Sequence, residues 1–405
     1  MAVTTNGTAA GLVDWRTVER LTALIPAGPS ASRSTRASSV AVLRRSAQEA
    51  PAWVARITGL NRAAQQVADS TRVSVVDRAG LVRASTRALR DLMGQVPAPR
   101  ASEAVRLAGA AEVAGAMSLL ATRLLGQVVP PAPTGADAGR SDVGRSDVGR
   151  SGTGRPGGEE PEGEESGVVD GKASASPHVL LVAPNVLAVR RQMDLDMLDL
   201  PAWVCLHEMT HAVQLAAAPW LGPYLTDSMR TVIGAVVEAA YGGIGGVGGA
   251  STGEGATRRR RGGAVRIAAR AGRGRVLEGL TNFRDRSEVA SLAAALTFLE
   301  GHAEVVLDDV RPNRMPSVHR LRAVLSRSRA ADDGIGPGPG LGALLLHRLM
   351  GLEAKEAQYA DGAAFVRSVV ARIGQEGLNV VWTDPALLPT PAEIARPDVW
   401  VHRVG

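Results

Sequence analysis

The chain has 405 residues, of which 45% are hydrophobic and 3% aromatic, and its formal net charge is +6. This length allows two compact domains or one large domain with insertions, and a core with so few aromatic residues has to be built from Ala, Val and Leu in closely packed helices. A single cysteine, Cys205, excludes an internal disulfide. The positive charge does not by itself indicate a nucleic-acid-binding protein, because the basic residues would first have to cluster on one face.

The first part of the chain, residues 1–129, is predicted to be a helical region packed on the rest of the protein. Apolar residues recur three and four positions apart in "WRTVERLTALI" and "AVRLAGAAEVAGAMSLLATRLLGQV". Between these segments, "RVSVVDRAGLV" reads as a short strand that turns into a helix. Neither a signal peptide nor a membrane span is recognisable, so we expect a cytoplasmic protein without a membrane partner.

Two segments interrupt this folded pattern. Residues 130–176 contain a repeated "GRSDV" and an acidic run with almost no large apolar residues, so we expect a disordered low-complexity insertion. Residues 242–263 are rich in glycine and end in four arginines, Arg258 to Arg261. A charge run in such a setting is typical of a solvated loop, which makes nucleic acid an unlikely partner.

The remaining part, residues 177–405, is predicted to be the catalytic domain, with the glycine-arginine loop inserted in it. It begins with "HVLLVAPNVL", which has the composition of a strand. Long apolar helices follow in "LDLPAWVCLHEMTHAVQLAAAPWL" and "EVASLAAALTFLEGHAEVVLDDV". The proline-rich tail "NVVWTDPALLPTPAEIARPDVWVHRV" is expected to wrap the surface rather than form a core element. The predicted fold class is therefore α+β, predominantly α-helical, with a small sheet beside the motif helix.

The motif is "HEMTH", in which His207 and His211 lie four residues apart and Glu208 follows the first histidine. Positions i and i+4 share one face of a helix, so both imidazoles can direct a nitrogen at one Zn²⁺. Glu208 is one residue round the helix and can instead accept a proton from a metal-bound water as general base. The uncharged neighbours favour a buried metal helix over two histidines on an exposed face.

A catalytic zinc site needs a third protein ligand, and the best source is "FLEGHAEVVLDD". Glu300 is the first acidic residue of this segment. The segment resembles the ligand helix of gluzincin metallopeptidases. The resemblance makes Glu300 the third ligand, and it makes Glu304, one turn later, the residue that orients a ligand histidine. Two alternatives remain open: His302 could complete a three-histidine site, or Glu304 could be the ligand with Asp308 bracing it. If His302 is not a ligand, it is a residue of the pocket edge or a donor to the developing oxyanion.

Several other residues could have a functional or a structural role. Tyr359 could donate to an oxyanion, although packing or capping is the more common role for such a tyrosine. His319 and His347 lie in basic or apolar helical segments and are interpreted as structural. Cys205 should face away from the metal by its helical angle, as a small core residue.

Taken together, "WVCLHEMTHAVQLAAAPWL", "LEGHAEVVLDDV", "LLHRLMGLEAKEAQYADGAAFVRSVV" and the tail resemble one family, the type 2 zincin-like metallopeptidases of actinobacteria. Genome neighbourhood associates that family with biosynthesis of the deazaflavin cofactor. The resemblance implies a zincin fold whose edge strand lines the substrate cleft, but it supplies no substrate.

The function predicted from these observations is a zinc-dependent metallopeptidase or amide hydrolase that acts on a peptide or protein substrate. The alternative is a catalytically inactive zincin-fold binding or scaffold protein, against which the intact Glu208 argues. The sequence leaves the oligomeric state open.

Overall fold

The computed structural model describes residues 7–130, 176–241, 283–323 and 357–404. Most of the predicted low-complexity insertion lies outside these ranges, as do the predicted glycine-arginine loop with Arg258 to Arg261 and also His347. Within the described ranges the chain is mostly helical with small sheets, which confirms the predicted α+β class.

The helices, in chain order, are α1 Trp15–Thr22, α2 Arg33–Thr58, α3 Asn61–Ser70, α4 Arg78–Gly94, α5 Glu103–Arg123, α6 Ala183–Gln192, α7 Asp199–Ala217, α8 Leu221–Tyr241, α9 Phe283–Asp308, α10 Ala357–Asn379, α11 Pro391–Ala395 and α12 Pro397–Val404. The strands are β1 Gly7–Thr8, β2 Arg72–Val76, β3 Pro97–Ala98, β4 Gly126–Val129 and β5 His178–Val182. Short 3₁₀ helices occur at Ala9–Leu12, Val380–Trp382 and Pro385–Leu387.

The sheet beside the motif helix has three strands in the order β2-β5-β4. Strand β5 is central, pairing in parallel with β2 and antiparallel with β4. Two of the three strands therefore come from the first part of the chain, and the central one comes from residues beyond 177. The predicted N-terminal region and catalytic domain thus share one sheet, because each would expose unpaired strand edges without the other.

The strand predicted at "RVSVV" is confirmed as β2, and Asp77 begins the following helix by accepting a hydrogen bond from the backbone N–H of Gly80. The strand predicted within "HVLLVAPNVL", bounded by Pro177 and Pro184, is confirmed as β5, which ends at Val182, where α6 begins at once. Pro184 is compatible with the first turn of a helix, where no intrahelical N–H bond is needed. Asn185 in that turn is buried and donates to the carbonyls of Ala121 and Leu124.

Helix α7 lies at the centre of the structure, between the sheet with α2 and α3 on one side and α9 on the other. Most of its residues are buried, so it lacks the polar face of a surface helix. We call the apolar cluster that α2, α3, α6, α7 and β5 form with the end of α9 and residues 310–321 the sheet-side core. A second cluster, built by α9, α10 and the C-terminal residues, is the tail-side core.

The C-terminal tail is not a surface wrap, so that prediction was wrong. Trp400 is fully buried and Trp382 is 3% exposed, and both belong to the tail-side core. Trp400 packs edge-on against Phe365, and its indole N–H donates to the carbonyl of Leu387. Three of the four tail prolines, Pro385, Pro391 and Pro397, lie at the start of short helices, and Pro389 lies in the loop between two of them.

Two described helices, Glu103–Arg123 and Ser287–Asp308, are long and apolar enough to cross a membrane by length and composition alone. Core helices of soluble proteins pass the same test, and both segments contribute buried residues to the cores here.

Candidate metal centre

Helix α7 holds the two motif histidines one turn apart, with their rings directed at a common point. Their Nε2 atoms are 3.2 Å apart, and the ring planes are perpendicular. His207 is 5% exposed and His211 is half-buried. The spacing of the motif on a helix therefore brings the two imidazoles together as the sequence predicts.

Glu300 reaches this point from α9, whose packing against α7 places its carboxylate between the two rings. One carboxylate oxygen is 3.5 Å from Nε2 of His207, and the other is 3.6 Å from Nε2 of His211. The three ligand atoms all lie within 4.8 Å of one another, and the group could hold a metal ion.

These separations fit tetrahedral coordination. With metal–nitrogen bonds of about 2.0–2.1 Å, two ligands of a tetrahedral Zn²⁺ are about 3.3 Å apart. The two imidazole nitrogens, 3.2 Å apart, match that value, and each histidine has a different carboxylate oxygen of Glu300 at 3.5 or 3.6 Å. Two imidazoles and one carboxylate leave a fourth position open, which is the ligand set of a catalytic rather than a structural zinc site.

The charges at the centre favour a cation. Burial opposes the charged form of Glu300, yet the positive charge of His211 and hydrogen bonds from both histidines hold its pKa well below the usual range. Burial also opposes the charged form of His211, but the carboxylate of Glu300 raises the pKa of His211 to about 9. A carboxylate that stays ionised in a buried place and attracts positive charge is suited to a divalent ion.

Glu208 lies beside this group, 3% exposed, against the first residue of β4. A Cβ at position 126 would lie 2.5 Å from Cγ and 2.7 Å from Cδ of Glu208, so only glycine leaves room there. Burial raises the pKa of Glu208 to about 8, with the His211 charge acting against this shift and the Glu300 charge adding to it.

A family model described as zincin-like metallopeptidase matches residues 13–401, nearly the whole chain. The chain belongs to the zincin-like metallopeptidase family. Membership confirms the resemblance predicted from the motif blocks, and with it the α+β zincin fold. It supports a hydrolase with a metal site. Neither an actinobacterial lineage nor a link to the deazaflavin cofactor follows from the match, so both stay predictions.

One solved structure of similar fold is a putative hydrolase with a novel fold from Chloroflexus aurantiacus. It is 19% identical in sequence, with a TM-score of 0.54, and the similarity covers 96% of this chain and 98% of that chain. At this identity the similarity shows the fold alone. No curated protein matches this chain.

In this zincin-like protein Gln214 contacts a ligand histidine from outside the metal group. Its side-chain oxygen is 2.9 Å from Nδ1 of His211, and its nitrogen is 3.0 Å from Nδ1 of His302. Sequence reasoning missed Gln214, although it follows His211 by three positions and is polar in an apolar helix. Gly126 was also missed, and no local signal distinguishes it.

The other predicted site residues have separate positions. His302 is 1% exposed and contacts Gln214 rather than joining the metal group, and burial together with the His211 charge lowers its pKa to about 3. Glu304 lies one turn after Glu300 and is 3.7 Å from the guanidinium of Arg367, so its bracing role stays a prediction. Tyr359 falls in the first turn of α10, but its side chain lies outside the described residues.

Two residues interpreted as structural lie away from the ligands. Cys205 is buried in the sheet-side core, where its thiol is 3.5 Å from the carbonyl oxygen of Leu43. His319 is exposed, beyond the end of α9.

Proposed function

We propose that this protein is a zinc-dependent peptidase or amide hydrolase. The observation that carries the proposal is the convergence of His207, His211 and Glu300 on one point, with the buried carboxyl of Glu208 beside it. A purely structural site would close its fourth position and would have no use for a general base. This contrast favours an enzyme over an inactive zincin-fold scaffold.

The residues divide the chemistry between them. His207, His211 and Glu300 would hold Zn²⁺, which lowers the pKa of water and polarises a scissile carbonyl when it is bound. Glu208 accepts the proton of the attacking water and delivers it to the leaving amine. One carboxyl can serve both steps, because the proton that it takes from the water is the proton that it gives to the amine.

Strand β4 supports a peptide substrate. In the part of the chain that the structure describes, β4 pairs with β5 alone, so its other edge carries backbone donors and acceptors that an extended peptide could pair with. Because Gly126 of this strand contacts Glu208, a peptide bound along the edge would pass the general base. A cytoplasmic location and the absence of a nucleic-acid or membrane partner remain part of the proposal.

The test is the zinc content of purified protein, by elemental analysis, for the wild type, His211→Ala and Glu208→Gln. We expect stoichiometric zinc in the wild type and in Glu208→Gln, loss of zinc in His211→Ala, and peptide hydrolysis by the wild type alone. His319→Ala is the matched control, because it removes an exposed histidine outside the site. A wild-type protein purified without chelators that holds no zinc would overturn the proposal.

A further inference from the structure

Gln214 joins the two helices that carry the metal ligands. It is 1% exposed in α7, and its side-chain nitrogen donates to the backbone carbonyl of Leu299 in α9, 3.0 Å away. Leu299 immediately precedes Glu300. One side chain therefore contacts both His211 and the backbone beside the third ligand.

The Leu299 carbonyl decides the orientation of the Gln214 amide. A carbonyl can only accept a hydrogen bond, so the group facing it has to be the NH₂ of Gln214. The amide oxygen then faces Nδ1 of His211, and the second N–H of the amide donates to Nδ1 of His302. The donor and acceptor roles of all four groups follow from this one constraint.

The tautomer of His211 follows in turn. Since the Gln214 oxygen can only accept, Nδ1 of His211 carries the proton and the lone pair of a neutral ring is left on Nε2. Nε2 is the atom that lies 3.2 Å from its counterpart in His207 and faces Glu300. This tautomer is the one a metal requires.

His302 holds the amide from the other end. Its Nδ1 accepts from Gln214, and its ring packs edge-on against Trp382 with centroids 5.3 Å apart and next to Phe298. A buried ring held by aromatic neighbours cannot turn away, so the amide of Gln214 cannot flip without losing two hydrogen bonds.

We propose that Gln214, held by His302 and Leu299, is a positioning residue that keeps His211 in its metal-binding tautomer and ties the motif helix to the Glu300 helix. We call this arrangement the Gln214 bridge. It rests on the proposed function, since it assumes that the three ligands bind zinc. It assigns His302 to supporting the bridge, rather than to the metal or to an oxyanion.

The experiment measures zinc affinity by chelator competition in the wild type and in Gln214→Met, which keeps the volume and removes the hydrogen bonds. We expect a loss of 10- to 100-fold, typical of residues that orient a metal ligand. The absorption spectrum of the cobalt-substituted protein should change as well, because the geometry at the metal changes. The matched control is Gln65→Met, which removes an exposed glutamine bonded to Asp69 on α3 and should leave both readouts unchanged.

A pair of variants at position 302 tests the other end of the bridge. His302→Asn offers an oxygen that can accept from Gln214, and we expect its zinc affinity to stay within about threefold of the wild type. His302→Leu offers no acceptor. We expect its zinc affinity to fall by about 10-fold, the smallest loss expected for Gln214→Met. Equal affinities in these two variants would contradict the role of His302.

Selective ¹⁵N labelling of the seven histidines gives a test that needs no folded variant. In the zinc-loaded wild type, His211 should coordinate through Nε2 and carry a slowly exchanging proton on Nδ1. A proton on Nε2 would overturn the Gln214 bridge, and so would unchanged zinc affinity in a folded Gln214→Met. In both cases zinc binding by the wild type would leave the proposed function intact, whereas a wild type that binds no zinc would overturn both.

Discussion

On the sheet side of the metal centre, the backbone of β4 lies directly against Glu208, whereas on the tail side buried side chains contact the ligands through hydrogen bonds. On the sheet side, Glu208 fits against β4 because Gly126 has no side chain. On the tail side, successive contacts between polar and aromatic side chains lead from His211 through Gln214 and His302 to Trp382. Backbone therefore places Glu208, whereas side chains hold His211. Substitutions on the two sides should therefore change different measurable properties of the protein.

Gly126→Ala should give the largest effect, a loss of peptide hydrolysis of about 10²–10⁴-fold with zinc content retained. The added Cβ would overlap Cγ and Cδ of Glu208 and displace the carboxyl from its position. Steady-state kinetics and elemental analysis on the same preparation check this. Gly115→Ala is the control, because nothing lies within 4 Å of a Cβ there. Full activity in Gly126→Ala would mean that β4 does not place the general base.

Trp400→Ala should lower the free energy of unfolding by about 3–5 kcal/mol, the usual cost of removing a large buried side chain. Trp400 is fully buried in the tail-side core. The substitution also removes the indole N–H that donates to the Leu387 carbonyl. Denaturant titration measures the change, and Val399→Ala, at a position that is 37% exposed, is the control. A decrease in the free energy of unfolding as small as that of the control would instead support the surface position predicted from sequence.

Gly362→Ala should lower the free energy of unfolding by about 1–3 kcal/mol and weaken zinc binding, unlike Trp400→Ala. A Cβ at position 362 would lie 2.2 Å from the carbonyl oxygen of Thr297, and Gly301, next to Glu300, meets the backbone of Gly362 in the same way. Separating α9 from α10 would shift Glu300. Chelator competition alongside denaturant titration tests this; unchanged zinc affinity would show that the helix contact does not position the ligand.

Glu393→Gln should give the smallest effect, up to about 1 kcal/mol near neutral pH. Burial opposes the charged form of Glu393, but hydrogen bonds from Arg403 and Thr390 and the charge of Arg403 lower its pKa below the ordinary value of a glutamate. A lowered folded-state pKa means that its contribution is present above the unfolded pKa and is lost as pH falls through the folded value. The stability difference between wild type and variant should therefore shrink below about pH 4.5, measured by denaturant titration at several pH values. A difference that is independent of pH would contradict this origin.

Much of the centre could be predicted because its information is local. The spacing of His207 and His211 on a helix fixes a shared face whatever surrounds it, and Glu300 was identified from its own segment. The tail was misjudged because prolines and irregular spacing give no periodic signal, although Trp382 and Trp400 fill the tail-side core. The limits of β5 could be predicted because the apolar run lies between two prolines, Pro177 and Pro184.

The sequence by itself determined the helical class and the motif helix, since each depends on periodicity or spacing within one segment, and a resemblance added Glu300 to the candidate ligands. Only the tertiary structure decided which groups meet across segments. Gly126 meets Glu208 because β4 pairs with β5, and Gln214 meets His302 because α7 packs on α9. Contacts between residues far apart in the chain depend on how elements pack, and a single sequence carries no local pattern for them.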